Sequence, residues 1–213
     1  VLTTIKDNLK SLIILFEEVK EQPEENQEMF NLQARLIAFA CTTAEKLLLL
    51  NLYARNPLLL IGEKELKREL LFKDFTYEHY DMDWLYNRSA GFIKPQMMWD
   101  TLSVLVKQEN STRLDDLETD FLYLKDIRNK YLHVFIIRVD PKSFYLIRDF
   151  IWVLLIRLFD ALPKELGVVT EETLEDCGCD AGNITRIREL DKEEIITQIL
   201  EKFGQTLNEL GRS

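Results

Sequence analysis

The chain has 213 residues, 46% of them hydrophobic, and a formal net charge of −10. That length and apolar content can bury a sizeable core as one main domain, and 30% charged with 10% aromatic residues exclude a mainly disordered protein. The acidic excess argues against a general nucleic-acid binder, which usually carries a net basic footprint.

Seven glycines and five prolines leave few breaks, and between them apolar residues recur at the helical period. No strand is convincing. Thr4 with Asp7 looks like a capping pair for a first helix to about Lys20, ended by Gln22-Pro23. A second, long helix is predicted from about Glu25 to Arg55, stopped by Asn56-Pro57. Its apolar tract, Leu36 to Ile61, is interrupted by Glu45, Lys46 and Arg55. A central charge costs about 2.5–3.5 kcal/mol on insertion, so no membrane span is expected. Gly62 introduces a short charged helix to about Phe72, and Tyr77 to Tyr86, which contains His79, reads as a loop or short irregular helix. Pro95 suits the first turn of a helix to Gln108, and the next helix runs from Leu114 to about Val134. Asp140-Pro141 caps a strongly apolar helix from Ser143 to Leu162, and Pro163 closes the bundle. A Gly-, Cys- and Asp-containing segment to Asn183 follows. The last helix is amphipathic, from Asp191 to about Leu210, with Asp191 and Glu194 as its capping box.

The expected organisation is an all-α antiparallel bundle over residues 1–163 and an acidic C-terminal helical appendage over 164–213. Residues 165–213 hold 12 acids against 5 bases. Between Lys125 and Asp149 the sign reverses, with Lys125, Arg128, Lys130, Arg138, Lys142 and Arg148 against three aspartates. Three cysteines make no disulfide framework and no cleavable signal is apparent, which points to a reducing cytoplasm. Cys177-Gly-Cys179 is too few ligands for a soft metal site, and with Asp176 and Asp180 beside it reads as a solvated turn. His79 reads as surface decoration, and Trp84, Trp99 and Trp152 as core or dimer contacts. The sequence holds no phosphate-cradling glycine loop, dinucleotide fingerprint or Ser-His-Asp arrangement with a credible nucleophile.

The chemistry-bearing stretch is Arg128-Asn129-Lys130-Tyr131-Leu132-His133, which joins an obligate cation to one of only two histidines. Histidine exchanges a proton near neutral pH, and the planar guanidinium can grip a phosphate through two parallel hydrogen bonds. Leu114, Leu117, Phe121, Leu124, Arg128, Tyr131 and Phe135 step by three and four, so Arg128 occupies an apolar slot of its helix. A cation there needs an anionic or polar partner. Glu45, which interrupts the run Leu36, Ala40, Ala44, Leu48, is the candidate, and a purely structural ion pair between the two is as consistent with the spacing as a catalytic one. His133 lies about 140° around an ideal helix from Arg128. Convergence on one phosphate therefore needs a helix that ends or bends near Leu132, or a second subunit.

The segment Leu124-Lys-Asp-Ile-Arg-Asn-Lys-Tyr-Leu-His-Val-Phe135 resembles the signature of the HEPN superfamily, helical domains whose Arg-Asn-x-x-x-His motif is a ribonuclease site. Ala38 to Leu52, with Ala-Glu-Lys-Leu, resembles that family's second long helix, which packs against the motif helix. The resemblance implies a homodimer with two motifs facing across a symmetric cleft. It implies RNA cleavage by the ribose 2′-OH, without metal or other cofactor. In that chemistry His133 serves as general acid or base, Arg128 stabilises the phosphorane and Asn129 orients, supported by Glu45, Lys130 and Tyr131. Such domains often act as toxins or in phage defence beside a nucleotidyltransferase antitoxin, which in some pairs modifies a tyrosine two residues after the histidine. That position is Phe135 here, while Tyr131 remains available. The competing expectations are a non-catalytic HEPN module that binds a nucleotide or a partner protein, and a structural bundle without a ligand.

Overall fold

A computed structural model describes residues 2–21, 27–55, 117–133 and 144–210, and the side chains of all of these except 130–133 and 203–210. The expected helices at Gly62 to Phe72 and Pro95 to Gln108, the Tyr77 to Tyr86 stretch, His79, Trp84, Trp99 and Phe135 lie outside the described residues. Among the described residues the chain is all-helical. It forms α1 (Leu2–Glu21), α2 (Gln27–Arg55), α3 (Leu117–His133), α4 (Phe144–Asp160), a 3-10 turn (Lys164–Leu166), α5 (Thr170–Asp176), α6 (Ala181–Glu189) and α7 (Lys192–Leu210).

The two most apolar helices sit at the centre. Helix α4 buries nearly every residue, from Phe144 to Phe159, because it is covered by α2, α3, α6 and α7. Helix α2 buries Leu36, Ile37, Ala40, Cys41, Ala44, Leu47 and Leu48 against α1, α3 and α4. By length and composition α2 is also long and apolar enough to cross a membrane, yet 61% of its most apolar window is buried inside the fold. Truncating a side chain such as the fully buried Phe150 or Phe121 would cost about 3–5 kcal/mol.

Polar contacts fix the helix directions. Asn51 Nδ2 and Arg55 Nη2, at the end of α2, donate to the carbonyls of Leu158 and Ala161 at the end of α4 (3.2 and 3.4 Å), so α2 and α4 point the same way. Arg157, late in α4, meets Asp120, early in α3, at 2.6 Å, and these two helices are antiparallel. Lys192 at the start of α7 also reaches Asp120 (3.1 Å), while Lys202 lies 5.6 Å above the Tyr145 ring at the start of α4. Helix α7 therefore runs back along α4.

The C-terminal segment is built into the bundle. Leu174, Ile184, Ile187, Ile195 and Ile199 belong to the same apolar core as α1 to α4. Helices α5 and α6 fall where the sequence suggested only an irregular segment to Asn183. The physical reason is visible in their ends. Helix α5 has seven residues and no side-chain cap at Val169, so its own sequence scarcely supports a helix, and packing of buried Leu174 and Thr170 holds it. It closes in a left-handed turn at Gly178 (φ 99°), where the Cys179 amide returns to the Leu174 carbonyl at 3.0 Å. Asp180 then caps α6 by accepting from the Asn183 amide. At the other end of the chain Thr4 is not a cap, because α1 is already helical from Leu2. Asp191 does cap α7, accepting from the Glu193 and Glu194 amides at 2.9 and 3.3 Å, but the Glu194 carboxylate turns along the helix to Gln198 rather than back to close a box.

Candidate functional site at the end of α3

Helix α3 docks through Leu117, Phe121, Leu124 and Ile127, all buried, with Leu117 and Leu124 completely so. One turn beyond Leu124, the stripe emerges from the core at Arg128, whose side chain keeps 25% of its exposure. The guanidinium Nε and Nη2 donate to Asn129 Oδ1 at 3.3 and 3.1 Å, a fork closed on its own neighbour. Nη1 lies 4.0 Å from Glu45 Oε1 on α2, within ion-pair range and beyond hydrogen-bond range. The structure thus brings Arg128, Asn129 and Glu45 together. Glu45 is the partner expected for Arg128, but both side chains are partly solvated and the pair is loose.

Cys41 lies beneath this pair, fully buried, with its thiol 3.8 Å from the Leu124 carbonyl. Burial pushes the thiol up to about 12, the positive charge of Arg128 only partly opposing it, so Cys41 is a protonated packing residue and not a nucleophile.

Lys130, Tyr131 and His133 lie in the last turn of α3, which stays helical to His133; their side chains lie outside the described residues. Position 133 on this backbone is about 140° around the helix from position 128, so the helix alone does not converge the two on one atom.

Three other charge clusters escaped the sequence reading. Asp120, 2% exposed, holds Arg157 at 2.6 Å and Lys192 at 3.1 Å. Asp149, 7% exposed, takes both guanidinium nitrogens of Arg186 at 3.0 and 3.1 Å as well as Arg148. Asp160 accepts from Arg188 and from the Thr170 hydroxyl, and Arg188 continues to Glu171 at 2.6 Å. Burial works against the charge on Lys192, but its bonds to Glu193 and Asp120 outweigh this and its pKa rises; Arg186 rises through its bond to Asp149. The available signal was that Asp120, Asp149 and Arg157 interrupt apolar helical runs just as Arg128 does, and a charge in such a slot implies a partner.

Cys177-Gly-Cys179 is a turn with Asp176, Gly178 and Asp180 exposed, as the flanking aspartates suggested, but its two thiols are withdrawn from solvent. Cys177 is buried with its thiol 3.7 Å from the Lys6 carbonyl, Cys179 is half-buried, and desolvation raises both thiols, Cys179 to about 11. Among the described residues no three His, Cys, Asp or Glu side chains cluster to hold a metal ion. Set against known proteins, the chain matches no family model, no curated protein and no solved structure.

Proposed function

We propose that this chain is a metal-independent endoribonuclease of the HEPN type, acting as a homodimer on RNA in a cytoplasmic toxin-antitoxin or phage-defence setting. The observation that carries the reading is the state of Arg128. Its guanidinium is oriented by Asn129, only loosely paired with Glu45, and open to solvent on the helix end that bears His133. A structural arginine is normally consumed by close bonds, as Arg157 is. Arg128 instead keeps a nitrogen whose 4.0 Å partner a phosphate could replace.

In this reading a phosphodiester oxygen takes the place of the Glu45 carboxylate at Nη1, and Arg128 stabilises the charge that builds on the phosphorane. A His133 imidazole removes the 2′-OH proton as the oxygen attacks phosphorus. A protonated imidazole gives a proton to the departing 5′-oxygen, leaving a cyclic phosphate and a free 5′-hydroxyl. A twofold axis near the end of α3 would place two Arg128 and two His133 around one cleft, which meets the angular mismatch within one helix. Lys130 adds positive charge to the same turn. Tyr131 offers a hydroxyl for modification by a nucleotidyltransferase antitoxin, since position 135 is Phe.

The test is incubation of the purified protein with mixed RNA in EDTA, followed by analysis of the new ends. Cleavage with cyclic-phosphate termini that falls by roughly 100- to 10,000-fold in His133→Ala, with unchanged helical circular dichroism, supports the reading. Equal activity of the variant sinks it. Glu45 beside Arg128 and the charge of −10 favour a second reading, a non-catalytic HEPN module for a nucleotide or protein partner. Binding that depends on Arg128 without any cleavage would select that one.

A further inference from the structure

A cleft of about 260 Å³ opens between α1, α4 and the α5–α6 turn, and no residue of α2 or α3 lines it. Its floor is apolar. Phe16 and Trp152, with ring centroids 5.7 Å apart, supply the aromatic part, and Ile156, Ile184 and Ile187 complete it. Its mouth carries Arg148 and Arg186, both turned onto the single carboxylate of Asp149.

Charge accounting decides what such a cleft attracts. At Asp149 two guanidinium groups share one carboxylate, a local excess of one positive charge. Two further acids line the cleft: Glu17 is paired with Lys20 at 3.2 Å, and Asp180 keeps its charge but directs it at the N-terminus of α6, accepting from the Asn183 amide. Arg148 Nη1 and Arg186 Nε have no partner among the described residues, while the other nitrogens hold each fork in place. The two cations are 34% and 43% exposed, so their free N–H groups are available to a ligand without breaking the clamp on Asp149.

We propose that this cleft binds a small carboxylic acid with an aromatic or branched apolar body, its carboxylate on Arg148 and Arg186 and its body over Phe16 and Trp152. The size of the cleft sets the size of the ligand. It falls just below the range of about 300–1,000 Å³ that takes drug-sized molecules, which suits a single ring with a short acidic arm. The arginines are already fixed by Asp149, so little side-chain freedom is lost on binding.

Calorimetric titration of the full chain with 3-phenylpropionate, and with its uncharged amide, tests the proposal. The acid should bind with a dissociation constant of about 0.1–1 mM, ordinary for a ligand of this size, and about tenfold tighter than the amide. Arg148→Gln should weaken the acid about tenfold and leave the amide unchanged. Asn183→Phe, which places a ring in the cleft from an exposed position of α6, should abolish binding of both without altering the circular dichroism. Equal affinity for acid and amide overturns the anionic recognition. Undiminished binding to Asn183→Phe, or no heat from the acid, overturns the site.

Discussion

The two ends of this molecule use the same residue types in opposite ways. At the C-terminal side, Asp120, Asp149 and Asp160 bond their arginines at 2.6 to 3.1 Å, and two of the three carboxylates are almost sealed from water. At the end of α3, Arg128 stands 4.0 Å from Glu45, with both side chains partly solvated. A buried carboxylate must be fully paired or the fold loses several kcal/mol, whereas a half-exposed pair contributes little and can be exchanged for another anion. The tight clusters therefore hold the C-terminal helices to the bundle, and the loose one contributes little to holding it together.

The strongest way to break this contrast is Asp120→Ala. It removes the 2%-exposed carboxylate that Arg157 and Lys192 share, and unfolding by urea should show a loss of about 3–5 kcal/mol. A loss below about 1 kcal/mol would put Asp120 with Arg128 as a dispensable partner. Asp149→Asn should come next, at about 2–3 kcal/mol, because it keeps the shape and removes the charge that holds Arg186. Its unfolding midpoint should drop while the urea slope stays constant.

Arg128→Ala should cost only about 1 kcal/mol or less, and its double-mutant cycle with Glu45→Ala should give a coupling no larger than that. A buried, fully engaged pair would instead have cost about 3 kcal/mol. If the ribonuclease reading holds, the same substitution that barely moves the melting temperature removes cleavage. A large stability loss with no effect on RNA would reverse the two roles.

The smallest effect is alkaline. Cys41 has its thiol raised from 9.0 to about 12 in the fold, so the folded state keeps a proton that the unfolded chain gives up. Its contribution to stability is present below pH 9 and declines as pH climbs toward 12. Melting temperatures over that interval should fall less steeply in Cys41→Ala than in the parent chain, and identical slopes would show that the thiol does not titrate as buried.

Much of the architecture was readable from the sequence. The helical period and the cap at Asp191 are local signals, and Glu45 with Arg128 could be paired because each broke an apolar stripe on a long helix. The clamps that seat α5 to α7 were not readable. Asp149 and Arg186 are 37 residues apart, and Asp160 and Arg188 are 28 apart. A single sequence does not say which of many charges meet after folding. Helix α5 was missed for a related reason, since tertiary contact supports it more than propensity does.

The junction at the ends of α2 and α4 has a consequence for motion. The last carbonyls of a helix usually face water, and the final turn opens and closes freely. Here Asn51 and Arg55 of a different helix hold the Leu158 and Ala161 carbonyls, and the Leu162 amide closes onto Phe159 at 2.9 Å. Fraying of that turn would require α2 to release it. Hydrogen exchange at the Ala161 and Leu162 amides should then report the opening of the whole α2–α4 core, as though the end of one helix had been made part of the middle of another.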